Sequence, residues 1–495
     1  MAYKDLRDWI ARLEKEGELK RIQTQVNWNR EIGALTRKVL DMGGPALLFE
    51  NIKDYQDKDT RCTKLFTGGL GTKDRMALML GMSKDSSLKD LIWTARKKFK
   101  EQIKPLKVTT GPVKENILKG EEINLYDFPV PFWHPHDGGR YFNTACGVVT
   151  KDPATEWTNV GVYCGMIVDK KVISVPLIKG QHWGLHYEEY RKLGKPMPVA
   201  IFYGWDPVHL LIGSAGVPPY VCEYDVMGSV REEPVELVQC ETSDLVVPAS
   251  SEIVVEGFID FETRANWGSW ADHTGYYTKK ETIVPVVQIE CITHRNDPIY
   301  PSLMECWGPA HPNEDSNMIQ VSIPAVILNI LESAGVPGVL DVCMLPASCN
   351  TNCVVQINKR YEGHAKQVAS AIWGSSLPNW QGKNVIVVEE DIDIYDFESI
   401  EWAIAYRVNP GENDVVVMPA MHGNPLDPSI RLALRDYPRL GTGVSNRLLI
   451  DATKNWTYGP QEQFGGDIYP DVGFTIDSQD EELVKKRWKE YGFTE

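Results

Sequence analysis

Positive charge is in short supply. The chain sets 52 Lys and Arg against 68 Asp and Glu, a formal net charge of −16 with a pI near 5.2, and no basic stripe relieves the deficit. That argues against binding a nucleic-acid backbone. Long apolar runs are missing too: none approaches the roughly 18 residues of a membrane helix. The opening "MAYKDLRDWIARLEKEGEL" is charged throughout, not a secretory leader, so no membrane partner and a cytoplasmic location are expected. The ten cysteines are scattered, and only Cys349 and Cys353 in "CNTNC" lie close together, with no second pair to complete a zinc ribbon or a disulfide framework. Reduced, mostly buried thiols are expected. The glycine cluster in "FTGGLGTKDRMALMLG" lacks both the Gly-Lys-Ser/Thr ending and the full G-x-G-x-x-G spacing, so it reads as a turn and helix cap, not as a phosphate loop. No internal repeat or low-complexity linker breaks the chain.

What is present suits a large multidomain protein. At 495 residues and 43% apolar content, two to four domains of roughly 100–200 residues are expected. Leu6, Trp9, Ile10 and Leu13 recur at helical spacing until Gly17 stops them, so the chain begins with an amphipathic helix. From about residue 107 to 305 short apolar runs alternate with Gly, Pro and Asp, the texture of a β-barrel or sandwich. After about residue 320 helical and strand patterns alternate, suggesting an α/β layer with parallel strands. "DEELVKKRWKEYGF" closes the chain as a charged helix suited to reaching over a neighbouring subunit. The expected divisions are 1–106 (N-terminal α/β), 107–320 (β), 321–475 (C-terminal α/β) and 476–495 (tail helix), an α+β multidomain fold.

Two regions carry candidate chemistry. Asn159 in "TNVGVY", His182 in "KGQHWG" and Glu223 in "VCEYD" offer an amide oxygen, an imidazole and a carboxylate, a mixed hard donor set better suited to Mn²⁺ or Mg²⁺ than to structural zinc. Spacing alone also allows three unrelated polar residues at strand ends. His182 and His186 share a helical face but lack the Glu of a metalloprotease motif. The second region, "RANWGSWADHTGYYTKKE", gathers Trp267, Trp270, Asp272, His273 and Tyr276. Aromatic walls suit a flat ligand, and an acid in a partly dry site can act as a proton donor; a turn-capping Asp beside core aromatics is the structural alternative.

"TNVGVY", "KGQHWG", "CETSDLVVPASSEIVVEG", "DHTGYY", "EGHAKQV" and "LLIDATK" together resemble the UbiD-like family of reversible decarboxylases, which use prenylated FMN, and most closely its hydroxybenzoate and 3,4-dihydroxybenzoate (protocatechuate) decarboxylases. The resemblance implies a central split β-barrel of flavin-reductase type flanked by two α/β domains, the last for oligomerisation as a homodimer or homohexamer. It implies that Asn159, His182 and Glu223 hold a divalent ion bridging to the flavin phosphate, with Gln181 beside them. Ser214 and Arg447 align with positions near the cofactor phosphate and a possible K⁺. A prenyl-FMN synthase would supply the cofactor.

The chain departs from the family pattern elsewhere. The usual Glu-Arg-Glu proton network maps onto Trp267, Cys164 and Asp272, so one ionisable position of three remains. The implied substrate is a para-hydroxylated benzoate such as 3,4-dihydroxybenzoate, in a pocket walled by Cys164 and Trp267. Asp272 is the expected proton donor, and His311 in "WGPAHPNED" the candidate for binding or deprotonating a ring hydroxyl. A subunit of a multicomponent carboxylase without activity of its own and an FMN reductase on the same barrel are the rival readings.

Overall fold

The computed structural model describes residues 3–57, 60–377, 381–473 and 476–494. Residue 475, the expected end of the C-terminal domain, lies outside them. The first helix runs Leu6–Lys15, capped by the Asp5 carboxylate accepting from the Asp8 amide, and buries Leu6, Trp9, Ile10 and Leu13. The glycine cluster is a turn followed by a helix Lys73–Met79, with Thr72 as its N-cap.

The N-terminal region holds a four-stranded sheet whose fourth member, Ile299–Pro301, returns from far along the chain to pair in parallel with Lys64–Thr67. The middle of the chain builds a nine-stranded sheet, antiparallel at every pairing. At its centre two long strands, Ile253–Trp267 and Thr282–His294, pair along most of their length. Register shifts after Glu256 and after Ile259 add local twist and bend the pair, so the sheet curls into a half-barrel. A helix Glu314–Ser333 runs through position 320, where composition changes, and packs against the helix Leu88–Lys98 and the strand Val339–Met344. The C-terminal sheet has five strands and is mixed: Asn352–Ile357, Asn384–Glu389 and Gly443–Asp451 are parallel, and antiparallel strands close both edges. The parallel strands expected there form the centre of the sheet, and antiparallel strands, which need no crossover connection, form its edges. The tail helix Ser478–Arg487 buries none of its residues within the chain. Among the described residues no helix is long and apolar enough to cross a membrane, and the ten cysteines are free thiols.

Glu252, wholly buried at the root of the long hairpin, ties these parts together. Its carboxylate accepts from Arg7 Nε and Nη2 at 2.8 and 2.9 Å and from the Ile299 amide at 3.0 Å, and Arg295 Nη1 lies 3.4 Å away. Replacing one partner of a buried ion pair leaves the others uncompensated, although Arg7 still reaches water and softens the loss. Glu252→Gln is expected to cost about 3 kcal/mol, the low end of the range for such breaks, read as a lower urea midpoint with an unchanged slope.

Candidate active site

At one side of the half-barrel three expected residues converge. Asn159 sits in the strand Thr158–Gly161, which pairs with Cys146–Lys151. His182 and Glu223 are each the first residue of a helix, His182–Leu193 and Glu223–Arg231. His182 Nδ1 lies 3.1 Å from Asn159 Oδ1 and 3.7 Å from Glu223 Oε1, while Glu223 Oε2 accepts from the Val160 amide at 2.8 Å. Burial pushes the Glu223 carboxyl up, against the opposing pull of His182 and the Val160 amide. A buried carboxylate beside one imidazole and an amide oxygen fits a hard divalent cation, which would replace the lost hydration. His186, one turn on, is buried against Thr150 Oγ1 at 2.9 Å, and burial lowers it to about 4, so it serves the core.

The other expected cofactor residues are Gln181, Ser214 and Arg447. Gln181 precedes the His182 helix and accepts from Trp183 Nε1 at 3.0 Å. Ser214 ends the helix Val208–Ser214, its hydroxyl turned back to the Leu210 carbonyl at 2.7 Å; the neighbouring Gly213 carbonyl accepts from the Val162 amide at 3.3 Å. Arg447 is buried in the C-terminal strand Gly443–Asp451, donates to the His422 carbonyl at 2.8 Å, and is lowered to about 10 by burial. Its strand follows a turn that meets the metal-side loop, because a Cβ on Gly180 would lie 2.5 Å from Thr442 Cγ2.

The tip of the long hairpin builds the other side. Trp267 ends its strand, and the loop beyond is pinned by the Asp272 amide to the Tyr276 carbonyl and by the Thr278 amide to the Trp270 carbonyl. The same loop presses on the segment 137–141. A Cβ on Gly138 would stand 1.7 Å from the Gly268 carbonyl oxygen, so only glycine admits the approach. The Tyr141 ring packs on Trp270 with centroids 3.8 Å apart, and its hydroxyl donates to the Ser269 carbonyl at 3.0 Å. The indole nitrogens of Trp267, Trp270 and Trp307 are buried without a hydrogen-bond partner in the protein.

Asp272 lies in this wall, only 4% exposed, with its Oδ2 2.9 Å from His273 Nδ1. The far ring nitrogen, Nε2, meets Asn424 Nδ2 at 3.0 Å, and the Asn424 oxygen is already occupied by the Leu426 amide. Nε2 therefore accepts, and Nδ1–H points at Asp272. Burial works against a charged ring, but Asp272 more than offsets it and raises His273 above the usual imidazole value.

Sequence reasoning named His273 in this loop but missed two members of the wall, Asn424 and Glu305. One ligand atom from each of Asp272, His273 and Glu305 lies within 4.8 Å of the others. Two full charges at that distance repel by about 3.5 kcal/mol at an effective dielectric near 20. Glu305 is buried; that burial first, and then the charge of Asp315, drive its carboxyl well above the usual carboxylate range and favour its neutral form. The available signal was a lone acid inside the apolar run "SLMECW".

The expected substrate-pocket residues fall on this side. Trp267 is buried, its ring edge-on to Tyr141. Burial, then Glu305, then Asp272 push the Cys164 thiol well above its ordinary value. His311 stands apart from the Asp272 group. Its side chain is 60% exposed and its Nδ1 is 3.1 Å from Asp41 at the end of the helix Glu31–Asp41. That surface ion pair, within a segment turning at Gly308, carries it outward.

A curled antiparallel sheet with hard metal donors on one side and aromatic rings and buried acids on the other defines a cofactor-using enzyme. Its three parts match the N-terminal (10–94), Rift-related (104–307) and C-terminal (316–452) domains of the 3-octaprenyl-4-hydroxybenzoate carboxy-lyases. The chain belongs to this UbiD family, and it is a UbiD-class decarboxylase. A protein of Archaeoglobus fulgidus, described only as uncharacterized, is 32% identical over 99% of both chains. The vanillic acid decarboxylase of Sedimentibacter hydroxybenzoicus in its closed form superposes with a TM-score of 0.87 at 29% identity, over 99% of this chain and 100% of that one. HmfF of Pelotomaculum thermopropionicum, a UbiD-class enzyme solved with FMN, gives 0.78 at 30% identity over 96% and 98% of the two chains; an evolved dimeric form of it holds prFMN. The 3,4-dihydroxybenzoic acid decarboxylase of Enterobacter cloacae gives 0.76 at 25% identity over 98% and 100%.

With its thiol raised, Cys164 stays neutral through the neutral range and forms thiolate only on the alkaline side of an ordinary cysteine. Peptide mapping after iodoacetamide treatment at neutral pH is expected to find Cys164 largely unmodified in the folded protein and modified after unfolding. Rapid alkylation in the folded protein would contradict the raised thiol.

Proposed function

We propose that the protein catalyses reversible, non-oxidative decarboxylation of a para-hydroxylated benzoate, 3,4-dihydroxybenzoate to catechol being the favoured pair, with prenylated FMN. The observation that carries the reading is the placing of two unlike sites on one curled sheet: Asn159, His182 and Glu223 on one side, Asp272 among aromatic rings on the other. In this reading the nine-stranded sheet serves as a split β-barrel of flavin-reductase type. The HmfF complexes support a flavin cofactor, and the vanillate and dihydroxybenzoate decarboxylases support a phenolic acid substrate.

Asn159, His182 and Glu223 would hold Mn²⁺ or Mg²⁺ against the cofactor phosphate. Ser214, Gln181 and Arg447 would lie around that phosphate, with K⁺ as a possible second ion. The bound cofactor supplies an electron sink for the ring carbon that loses CO₂. The chain supplies the rest. Trp267, Trp270 and Tyr141 exclude water and present flat faces to an aromatic ring. Cys164 leaves the pocket without the family's arginine, so the substrate carboxylate meets an apolar wall and is destabilised relative to neutral CO₂. Asp272 then protonates the vacated carbon. His311 keeps a role in meeting a ring hydroxyl only if its exposed segment folds inward on binding.

Apolar side chains on the C-terminal region, among them Tyr406 at 74%, Leu432 at 64% and Val417 at 56% exposure, support a homodimer or homohexamer. The two-component name of the vanillate enzyme, ShVdcCD, keeps open an additional small subunit. Ten free thiols suit the cytoplasm, where a prenyl-FMN synthase would supply the cofactor.

The decisive test is CO₂ release from a panel of hydroxybenzoates by protein co-expressed with a prenyl-FMN synthase. Flavin-dependent consumption of NAD(P)H without CO₂ would instead establish a reductase. Glu223→Gln removes a charge from the ion with little change in volume and is expected to lose metal and most flavin; full occupancy of both would remove the trio as the metal site. Asp272→Asn should retain both groups while turnover falls by about 10²–10⁴-fold, the scale of a lost general acid, with slower deuterium exchange into the phenolic product.

A further inference from the structure

Glu305 belongs to none of the three positions of the family's proton network, yet it adjoins the side chain that replaces one of them. Of the charges acting on the Cys164 thiol, Glu305 comes first and Asp272 second. Glu305 also lies with Asp272 and His273 in one group whose ligand atoms are within 4.8 Å. It follows the strand Ile299–Pro301 and immediately precedes Cys306, whose left-handed backbone, φ 70°, reverses the chain there. Its partner Asp315 stands in the first turn of the helix Glu314–Ser333. Trp307, two residues on, packs its ring 5.9 Å from that of His273, and its indole nitrogen is a buried donor without a partner in the protein. The site therefore has an acid where the family's pattern, as matched to this chain, has none, facing the space left by an absent guanidinium.

We propose that Glu305, buried and with a carboxylate oxygen within 4.8 Å of ligand atoms of Asp272 and His273, is the proton store of this site and reloads Asp272 after each turnover. The proposal rests on the decarboxylase reading. When the bond to CO₂ breaks, its electron pair stays with the ring carbon, and Asp272 gives its proton to that carbon and becomes a carboxylate. The Glu305 O–H bond then breaks and its proton passes to Asp272, directly or through one water. The negative charge left behind is shared between Glu305 and Asp315. Solvent returns one proton to the pair, so one proton is consumed for each CO₂ released and no oxidant is needed. A cavity of about 270 Å³ lined by His273, Asn424, Asp427 and Lys383 brings solvent up to the far side of His273. The groups facing Glu305 and its partner are Asp272 and His273 from the hairpin loop, Cys164 from the sheet, and Cys306 from its own segment.

A store and a structural acid differ in kinetics. In Glu305→Gln with wild-type flavin and metal content, the first turnover needs no reloading and every later one does. Rapid-quench measurement should show a burst of one CO₂ per active site at near wild-type rate, then a steady state slowed about 10²-fold or more. Glu305→Asp should recover part of the steady state, and Asp272→Asn should abolish the burst. Infrared difference spectra of cofactor-free protein give a readout independent of turnover. A protonated carboxyl band that shifts in heavy water should be present at neutral pH in wild type and in Asp272→Asn, and missing in Glu305→Gln. An unchanged steady state in Glu305→Gln, or an unchanged infrared band, overturns the proposal. Wild-type protein that releases no CO₂ from any benzoate overturns the decarboxylase reading instead, while the infrared band still decides the state of Glu305.

Discussion

A buried carboxylate at the root of the long hairpin organises the molecule. Glu252 draws Arg7 from the first helix, Arg295 from the end of the second long strand and the Ile299 amide from the returning strand onto one side chain. Those contacts join the N-terminal sheet to the strands Ile253–Trp267 and Thr282–His294. Because both strands are long and paired along most of their length, what is fixed at their root is carried to their tip, where the loop bearing Asp272 lies. A buried charge that is well paired gives a weak net gain in stability but a strong preference for one arrangement, and here the arrangement aims an acid.

The two sides of the site solve the same electrostatic difficulty differently. Glu223 is buried beside one imidazole and one amide oxygen, a deficit of positive charge that a divalent cation corrects. Asp272, Glu305 and Asp315 are gathered around a single imidazole, a deficit that protons correct. The donor sets make the distinction: hard oxygens with nitrogen converging on a point favour an ion, whereas carboxyls hydrogen-bonded to one another favour sharing a proton. His273 stands between opposing demands, since Asp272 favours the charged ring and the Asn424 amide, locked by Leu426, favours the neutral one.

Much of this was legible in the sequence, for local reasons. The first helix and its stop follow from the period of Leu6, Trp9, Ile10 and Leu13 and from Gly17. The glycine turn follows from the missing Gly-Lys-Ser/Thr ending. Asn159, His182 and Glu223 were found through motifs that each begin or adjoin an element, where side-chain direction is set by a few neighbours. What escaped depends on contacts distant in sequence. Ile299–Pro301 has a strand's composition but its partner is more than 230 residues earlier. Asn424 reaches His273 from the C-terminal region. Glu305 is silent in sequence because nothing local says that Cys164 and Asp272 surround it. His311 stands at the surface beside Asp41, a contact between segments 270 residues apart that no local pattern announces.

These misses share a lesson about where chemistry resides. A site is defined by the charges that meet in space and not by the positions that usually supply them. In a dry pocket the quantity to be conserved is the proton inventory. An acid removed from the hairpin leaves a neutral wall, and an acid added on a neighbouring segment restores the inventory without restoring a fixed cation. Such a pocket holds one fewer positive charge than a site with arginine would. In the proposed reading, its hold on an aromatic acid therefore rests on aromatic burial of the ring and not on a fixed positive charge. That favours a substrate with polar handles distributed around an aromatic ring, and it weakens the grip on the carboxylate at the point where it must leave as CO₂.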